Sequence, residues 1–201
     1  IEGWHLFEEA VQAGVTIEKI FALENYRDKL ASFPQTVWVS EDILLDLADS
    51  QTPQGIVAVV QKEEVEQTDF SQGKFLFLED VQDPGNVGTI IRTADAAGFT
   101  GVIVSDKSAD IYSLKTLRSM QGSHFHLPIY RMSSQRLLEE AKKAGIPVLA
   151  TTLAKDSVDY RELPSIENFV LVMGNEGQGI SSLMAESADQ LVHISMKGQA
   201  E

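Results

Sequence analysis

Short, wholly apolar runs and amphipathic stretches follow one another along most of the chain. Runs such as Gly55–Val60 and Phe169–Met173 are continuously apolar, as is typical of strands buried on both faces of a sheet. Other stretches, such as Gly3–Ala13, repeat their apolar residues at helical spacing. Strands that alternate with helices in this way predict an α/β fold with a mostly parallel sheet.

The pattern divides the chain into two units. The pattern predicts a small α/β domain over residues 1–61, a polar, acidic linker over residues 62–73 and a larger domain over residues 74–201. The elements expected in the small domain are a helix at Gly3–Ala13, strands at Ile17–Leu23, Thr36–Val39 and Gly55–Val60, and a helix capped by Ser40. Those expected in the large domain are strands at Phe75–Leu78, Gly101–Ser105, Leu127–Tyr130, Pro147–Thr151, Phe169–Met173 and Gln190–Ile194, and helices at Val87–Ala97, Ser113–Met120, Ser134–Ala144 and Ile180–Ser187. Ligands of such sheets lie beyond the carboxyl ends of the strands, so functional residues are expected in the loops that follow strands.

Composition excludes several classes of protein. The 201 residues include no cysteine, which rules out disulfide scaffolds and thiol nucleophiles, and the four histidines lack metal-ligand spacing, so we expect no metal. No apolar run approaches the length of about 18 residues that a membrane span needs, and no signal peptide is visible. A cytoplasmic enzyme or binding protein remains.

Charge is distributed unevenly. The net charge is −14, and residues 1–73 hold 4 basic and 14 acidic residues, a balance that would repel a phosphate backbone. The stretch from Ile111 to Leu138, by contrast, has no acidic residue and includes Lys115, Arg118 and Arg131 among aromatic side chains. Such a stretch could bind nucleic acid. Composition alone favours the simpler interpretation, a surface patch that happens to lack acidic residues.

The loop after the first strand of the large domain carries the first candidate site. Pro84 and Gly85 turn the chain, and Asn86 occupies the expected N-cap of the next helix. Gly88 lies inside that helix, where glycine costs about 1 kcal/mol relative to alanine, so we expect a ligand or another backbone to approach closely there. Arg92 falls outside the apolar stripe and is either functional or merely solvated.

The loop after Phe169–Met173 has three glycines in six residues, Gly174, Gly177 and Gly179. A phosphate-binding loop is rejected, because the glycine order is wrong and no Gly-Lys-Ser/Thr is present. The carboxylate of Glu176 would repel a pyrophosphate but tolerate a cationic ligand such as a sulfonium. The plain alternative is a sharp strand-to-helix turn.

A third loop, Ile194-Ser195-Met196-Lys197-Gly198, follows the last strand. Taken together, Asn86-x-Gly88 to Arg92, Gly174-x-Glu176 to Gly179, and this segment resemble the three motifs of the SpoU (TrmH-type) RNA ribose methyltransferases. The resemblance covers residues 74–201, and residues 1–60 look like the small RNA-binding domain that often precedes it.

The resemblance implies a sheet with a C-terminal trefoil knot and a homodimer that moves a methyl group from S-adenosylmethionine to a ribose 2′-hydroxyl. Ribosomal RNA is the first expectation and transfer RNA the second. By matching motif positions, the residues expected to line the cofactor site are Thr151, Gly174, Gly179, Ile194 and Met196. Contacts with RNA phosphates are expected from Lys115, Arg118 and Arg131.

The resemblance assigns catalysis to Arg92, together with Asn86 and Glu176. Arg92 either loses its proton and acts as a base or stays charged and clamps an RNA phosphate. Because a guanidinium has a pKa above about 12, the clamp is preferred. Asn86 would hold its loop and touch the ribose, while Glu176 would orient Asn86 or the loop glycines.

Two features depart from the family pattern. Ser195 stands where the family usually has proline, which would loosen the turn, and the chain stops at Glu201, before the family's usual Ser-Leu-Asn segment and final helix. The second departure leaves open a non-catalytic RNA-binding protein that keeps the fold. A dehydrogenase-like nucleotide domain fails on glycine order. His124 and His126 are expected to be strand histidines with satisfied ring nitrogens.

Overall fold

Residues 1–62 form a three-stranded sheet with two helices. The computed structural model describes residues 1–62, 69–196 and 198. The elements of the first unit are α1 (Trp4–Gln12), β1 (Ile17–Leu23), β2 (Thr36–Val39), α2 (Glu41–Leu47) and β3 (Ile56–Val60). The strand order is β2-β1-β3, with β1 parallel to β2 and antiparallel to β3. Phe7, Ile20 and Ile56 are buried in its small core.

The second unit is a seven-stranded sheet in which every pairing is parallel. Its elements are β4 (Lys74–Leu78), α3 (Pro84–Ala96), β5 (Gly101–Val104), α4 (Leu114–Met120), β6 (Ile129–Arg131), α5 (Ser134–Ala144), β7 (Val148–Thr151), β8 (Val158–Asp159), β9 (Phe169–Met173), α6 (Ser182–Ser187) and β10 (Gln190–His193). The strand order is β6-β5-β4-β9-β7-β10-β8. The mixed α/β architecture with a parallel sheet is confirmed.

Helices cover both faces of this sheet, which explains the continuously apolar strands. Successive side chains of β4 point to opposite faces. Leu76 and Leu78 join one core with residues of α3 and α4, whereas Phe75 and Phe77 join a second core with residues of α5 and α6. Leu6 of α1 is buried in the first of these cores, so the small unit packs against the large one.

Most predicted boundaries lie within two residues of the observed ones, and three points differ. The helix expected at Val87–Ala97 begins earlier, at Pro84. The two-residue strand β8 was not expected. His124 and His126 do not lie in a strand, because Ser123–Phe125 forms a 3₁₀ turn and the strand starts only at Ile129.

The predicted linker 62–73 is described only in part, since residues 63–68 lie outside the described residues. After them, Phe70 is buried and its ring centroid lies 4.9 Å from that of Phe75. Over the described ranges, no helix is long and apolar enough to cross a membrane. The knot concerns the threading of the chain and stays a prediction.

Candidate active site

Four neighbouring strands of the large sheet deliver their following loops to one edge. Because β4, β9, β7 and β10 are adjacent and parallel, their carboxyl ends lie side by side. The loops that follow β4, β9 and β10 carry the three predicted motifs. Thr151 lies at the end of β7, where its hydroxyl donates to the carbonyl of Val172 at 2.9 Å. The three distant motifs therefore meet at one edge of the sheet.

The first motif begins α3, but Asn86 is not its N-cap. Asp83 holds that position, its carboxylate accepting from the backbone N–H of Asn86 at 2.9 Å, and Pro84 starts the helix. The prediction was wrong because proline favours the first helical position, which places the cap one residue before it. The side chain of Asn86 is thereby freed for another contact.

The glycine loop after β9 folds back on itself. Asn175 and Gly179 pair through two backbone hydrogen bonds of 3.0 and 2.9 Å, and the Asn175 side-chain oxygen accepts from the N–H groups of Gly177 and Gln178. A Cβ on Gly174 would collide with the backbone of Gly179 and Ile180. Gly179 has φ +70°, a conformation that favours glycine. Gly174 and Gly179 are thus required by the turn itself.

Glu176 joins the second motif to the first. Its carboxylate accepts from Asn86 Nδ2 at 3.0 Å and from the backbone N–H groups of Asp83 and Gln82 at 3.2 and 3.3 Å. Partial burial alone would raise the pKa of Glu176, but these hydrogen bonds outweigh it and lower the pKa below its ordinary value. Of the two partners expected for Glu176, Asn86 or the loop glycines, the carboxylate contacts the side chain of Asn86.

Further hydrogen bonds around these loops, made by Asn175 and Glu79, were not predicted. Asn175 Nδ2 donates to the carbonyl of Asp80, a non-glycine residue with φ +58°. Glu79 is almost fully buried, and its carboxylate accepts from the Ser181 backbone N–H and hydroxyl, both at 2.8 Å, and from the Ser134 hydroxyl at 2.6 Å. Glu79 thereby connects the end of β4 to Ser134, the first residue of α5, and to Ser181, the N-cap of α6. A polar residue directly after an apolar strand was the only sequence signal for it.

Gly88 allows α3 and α4 to touch. A Cβ there would lie 2.5 Å from Ser119 Cβ, 2.6 Å from the carbonyl oxygen of Thr116 and 3.0 Å from the backbone nitrogen of Met120. The close approach expected at Gly88 is therefore made by another backbone. Arg92 follows one turn later, is exposed, and has no hydrogen bond or ion pair to any described residue.

The third motif presents apolar side chains at the same edge. Ile194 and Met196 are 61% and 59% exposed, and Leu153, after the neighbouring strand β7, is 81% exposed. Lys197 lies outside the described residues, and Gly198 is exposed. Large exposed apolar side chains that share one edge are typical of a surface that binds a ligand or a partner.

The three cations predicted to contact RNA all have protein partners. Lys115 lies 2.7 Å from the Asp83 carboxylate and Arg118 lies 3.2 Å from that of Glu2, while Arg131 donates to the Ser105 carbonyl at 2.9 Å. The stretch 111–138 is free of acidic residues in sequence but not in space. Lys115 and Arg118 remain half-exposed, so their role in RNA binding stays a prediction.

Of the two histidines, His126 has a partner at each ring nitrogen, as expected, and His124 does not. His126 lies 3.1 Å from a Glu9 carboxylate oxygen and 3.5 Å from one of Asp95. His124 Nδ1 is buried without a hydrogen-bond partner among the described residues, so this histidine is not satisfied. Burial, and to a lesser extent the charges of the amino terminus and His126, lowers the pKa of His124 to about 4.

Comparison with known proteins identifies the family. Residues 73–201 match the family model described as the SpoU rRNA Methylase family, and residues 1–66 match the model for RNA 2'-O ribose methyltransferase substrate binding. The chain belongs to the SpoU family. The resemblance drawn from the three motifs is thereby confirmed.

Individual relatives agree with this assignment. The chain is 39% identical to the 23S rRNA (guanosine(2553)-2'-O)-methyltransferase RlmP of Bacillus subtilis, over 100% of this chain and 81% of that protein. The AdoMet-bound rRNA methyltransferase of Sinorhizobium meliloti is 32% identical with a TM-score of 0.88, covering 100% of this chain and 79% of the other. The SpoU methyltransferase AviRb of Streptomyces viridochromogenes, in complex with AdoMet, is 29% identical with a TM-score of 0.82, over 100% and 82%.

The SpoU chain is an RNA 2′-O-methyltransferase that uses S-adenosylmethionine. Its own residues suit that cofactor. The exposed Leu153, Ile194 and Met196 offer an apolar surface for an adenosyl group, and the carboxylate of Glu176 is compatible with a sulfonium. Within the described residues, no group of three or more histidines or carboxylates lies close enough to hold a metal ion.

Proposed function

We propose that this SpoU chain methylates a ribose 2′-hydroxyl of ribosomal RNA, with Arg92, Asn86 and Glu176 forming the catalytic site. The observation that carries the proposal is the hydrogen bond between Glu176 and Asn86, which fastens the glycine loop to the start of α3. The name of the Bacillus subtilis relative, a 23S rRNA methyltransferase, supports ribosomal over transfer RNA. A ribosomal substrate also implies action in the cytoplasm.

S-adenosylmethionine supplies the methyl group. Around it, backbone groups of Thr151, Gly174 and Gly179 and the segment from Ile194 to Met196 would hold the adenosyl part, since all lie at one sheet edge. Glycines at 174 and 179 leave no side chain between the loop backbone and a ligand. The displacement at the methyl carbon is in line and releases S-adenosylhomocysteine and the proton of the 2′-hydroxyl, so positioning of the hydroxyl against the methyl group supplies most of the rate.

Arg92 would act as a clamp for the RNA phosphate next to the target ribose. It lies six residues after Asn86 on α3, about 9 Å along the helix axis, which suits neighbouring parts of one nucleotide. A guanidinium is a poor general base, and the exposed Arg92 has no hydrogen bond or ion pair to a described residue that would occupy its donors. A charged Arg92 can instead donate two hydrogen bonds to a phosphate.

Two further parts of the proposal concern organisation. We infer a substrate-binding domain over residues 1–61 and a methyltransferase domain over residues 74–201. We also infer a homodimer, with the exposed apolar edge formed by Leu153, Ile194 and Met196 near the subunit contact.

The test is transfer of labelled methyl groups from S-adenosylmethionine to unmodified ribosomal and transfer RNA, with wild type and Arg92→Lys. We expect label on ribose of ribosomal RNA, and for Arg92→Lys a weaker RNA affinity with partial turnover. Label on transfer RNA alone would reverse the substrate assignment. Full RNA binding by Arg92→Lys without turnover would reject the clamp. Absence of transfer by the wild type, despite RNA binding, would favour the non-catalytic alternative.

A further inference from the structure

A chain of side-chain hydrogen bonds crosses from the third motif to the edge strand β8. The Ser195 hydroxyl donates to Asp159 Oδ2. The same carboxylate accepts from Arg161 Nε and Nη2 at 2.8 and 2.7 Å and from the Arg161 backbone N–H at 3.0 Å. Although Arg161 is half-exposed, the Asp159 side chain is only 9% exposed. The guanidinium holds the pKa of Asp159 well below its usual range, so the acceptor is a carboxylate.

This arrangement fixes a segment that otherwise has little support. Ser195 lies between Ile194 and Met196, whose side chains are mostly exposed. Asp159 pairs with His193 at the end of β10, so the Ser195 hydroxyl reaches back to the neighbouring strand two residues after the ladder ends. Among the described residues, the only hydrogen bonds that hold positions 194–196 are those of Ser195 Oγ to Asp159 and, at 3.4 Å, to His193 Nε2.

The same chain of contacts reaches the loop after β7. His193 Nδ1 lies 3.0 Å from the Ser157 hydroxyl, and Ser157 in turn donates to the Ala154 carbonyl at 2.5 Å. The loop with the exposed Leu153 is therefore held to His193, which immediately precedes the segment with Ile194 and Met196. Both flank the apolar edge assigned above to the adenosyl group.

We propose that Ser195, held by Asp159, is a positioning residue for cofactor binding. The inference rests on the proposed function, because it assumes that the segment from Ile194 to Met196 contacts the cofactor. Proline, the residue that the family resemblance leads one to expect at this position, restrains the chain through its ring. Ser195 achieves a comparable restraint through a hydrogen bond, and Asp159 and Arg161 supply its fixed acceptor.

Removing the hydroxyl leaves the backbone of three residues to be ordered when the cofactor binds. Ordering a backbone opposes binding and weakens affinity. We expect Ser195→Ala to raise the Kd for S-adenosylhomocysteine about tenfold or more. Ser195→Thr keeps a hydroxyl and Ser195→Pro restores a restraint, so both should stay within about threefold of wild type.

The experiment is calorimetric titration of the full chain with S-adenosylhomocysteine, together with thermal unfolding and methyl-transfer kinetics. We expect Asp159→Ala to weaken binding at least as much as Ser195→Ala, because it also removes the acceptor of Arg161, and the double variant to bind no more weakly than Asp159→Ala alone, since Ser195 acts through Asp159. KM for S-adenosylmethionine should rise with the Kd, while KM for RNA stays the same. Ser32→Ala, at an exposed position of the small unit, is the matched control.

The outcomes separate this inference from the proposed function. If wild type binds S-adenosylhomocysteine and Ser195→Ala and Asp159→Ala bind equally well, the positioning role is rejected while the proposed function stands. A lower unfolding temperature with an unchanged Kd would also reject it, because the contact would then only stabilise the fold. If Ser195→Ala does not fold, a weak Kd for Ser195→Thr would overturn the proposal. Failure of wild type to bind would overturn both.

Discussion

Gly88→Ala tests the packing that places Arg92. The added methyl group would lie 2.5 Å from Ser119 Cβ and 2.6 Å from the Thr116 carbonyl oxygen, whereas comfortable carbon contacts are about 3.5–4.0 Å. Two of the three nearest atoms belong to the α4 backbone, so relief requires the helices to separate by about 1 Å. Overpacking of this kind costs about 1–3 kcal/mol.

The net effect on stability is smaller than the steric cost. Alanine gains about 1 kcal/mol over glycine in a helix, which leaves a net loss of about 0–2 kcal/mol in the free energy of unfolding. For a chain of 201 residues this lowers the unfolding temperature by up to about 8 °C. Since Arg92 lies one turn beyond Gly88, the same shift misplaces its guanidinium, and a displacement of 1 Å can reduce a rate about 100-fold.

Differential scanning calorimetry and methyl transfer to RNA measure the two effects. Thr89→Ala is the matched control, because Thr89 is exposed on the same turn of α3. We expect the control to keep its unfolding temperature and rate. A Gly88→Ala protein as stable and as active as wild type would refute the argument that the two helix backbones need this glycine.

Three further predictions concern the site and its surroundings. Glu176→Gln should lower the methyl-transfer rate by tenfold or more with little change in RNA affinity, because an amide has one acceptor oxygen for the three N–H donors, including Asn86, that the carboxylate now accepts from. An unchanged rate would count against a role for the Glu176–Asn86 contact. Arg118→Glu should weaken RNA binding and flatten its salt dependence, whereas Glu2→Gln, which removes the charged partner of Arg118, should not weaken RNA binding. Equal salt slopes for the wild type and both variants would show that Arg118 does not contact RNA. Since the pKa of His124 is lowered to about 4, the wild type should lose up to about 3 kcal/mol of stability as the pH falls from 6.5 to 4. Chemical denaturation should show a smaller loss for His124→Phe, and parallel curves of stability against pH for the two proteins would contradict the lowered pKa of His124.

Local sequence signals predicted the elements well where packing agrees with periodicity. The run Phe169–Met173 became a strand at the predicted residues because it is covered by helices on both faces. The glycine at position 88 correctly indicated a close approach, because the backbone of α4 leaves no room for a side chain there. The Asp83-Pro84 pair carried the true helix start, but the cap was assigned to Asn86, the asparagine of the motif.

Features that depend on distant partners escaped prediction. The strand β8 has two residues and exists through its pairing with β10, so it has no periodicity of its own. The contact of Asn175 with the Asp80 carbonyl joins residues 95 positions apart, and no spacing rule indicates it. Likewise, the stretch around Arg118 looked free of acidic neighbours because its partner, Glu2, comes from α1's unit.

The central claim is that loops following parallel strands form one cofactor site. A crystal structure of the full chain with S-adenosylhomocysteine tests it most directly. We predict an adenosyl group against the backbone of Gly174, Ile194 and Met196, with Arg92 facing the same cleft. A ligand bound elsewhere, with these three residues still facing solvent, would contradict the account.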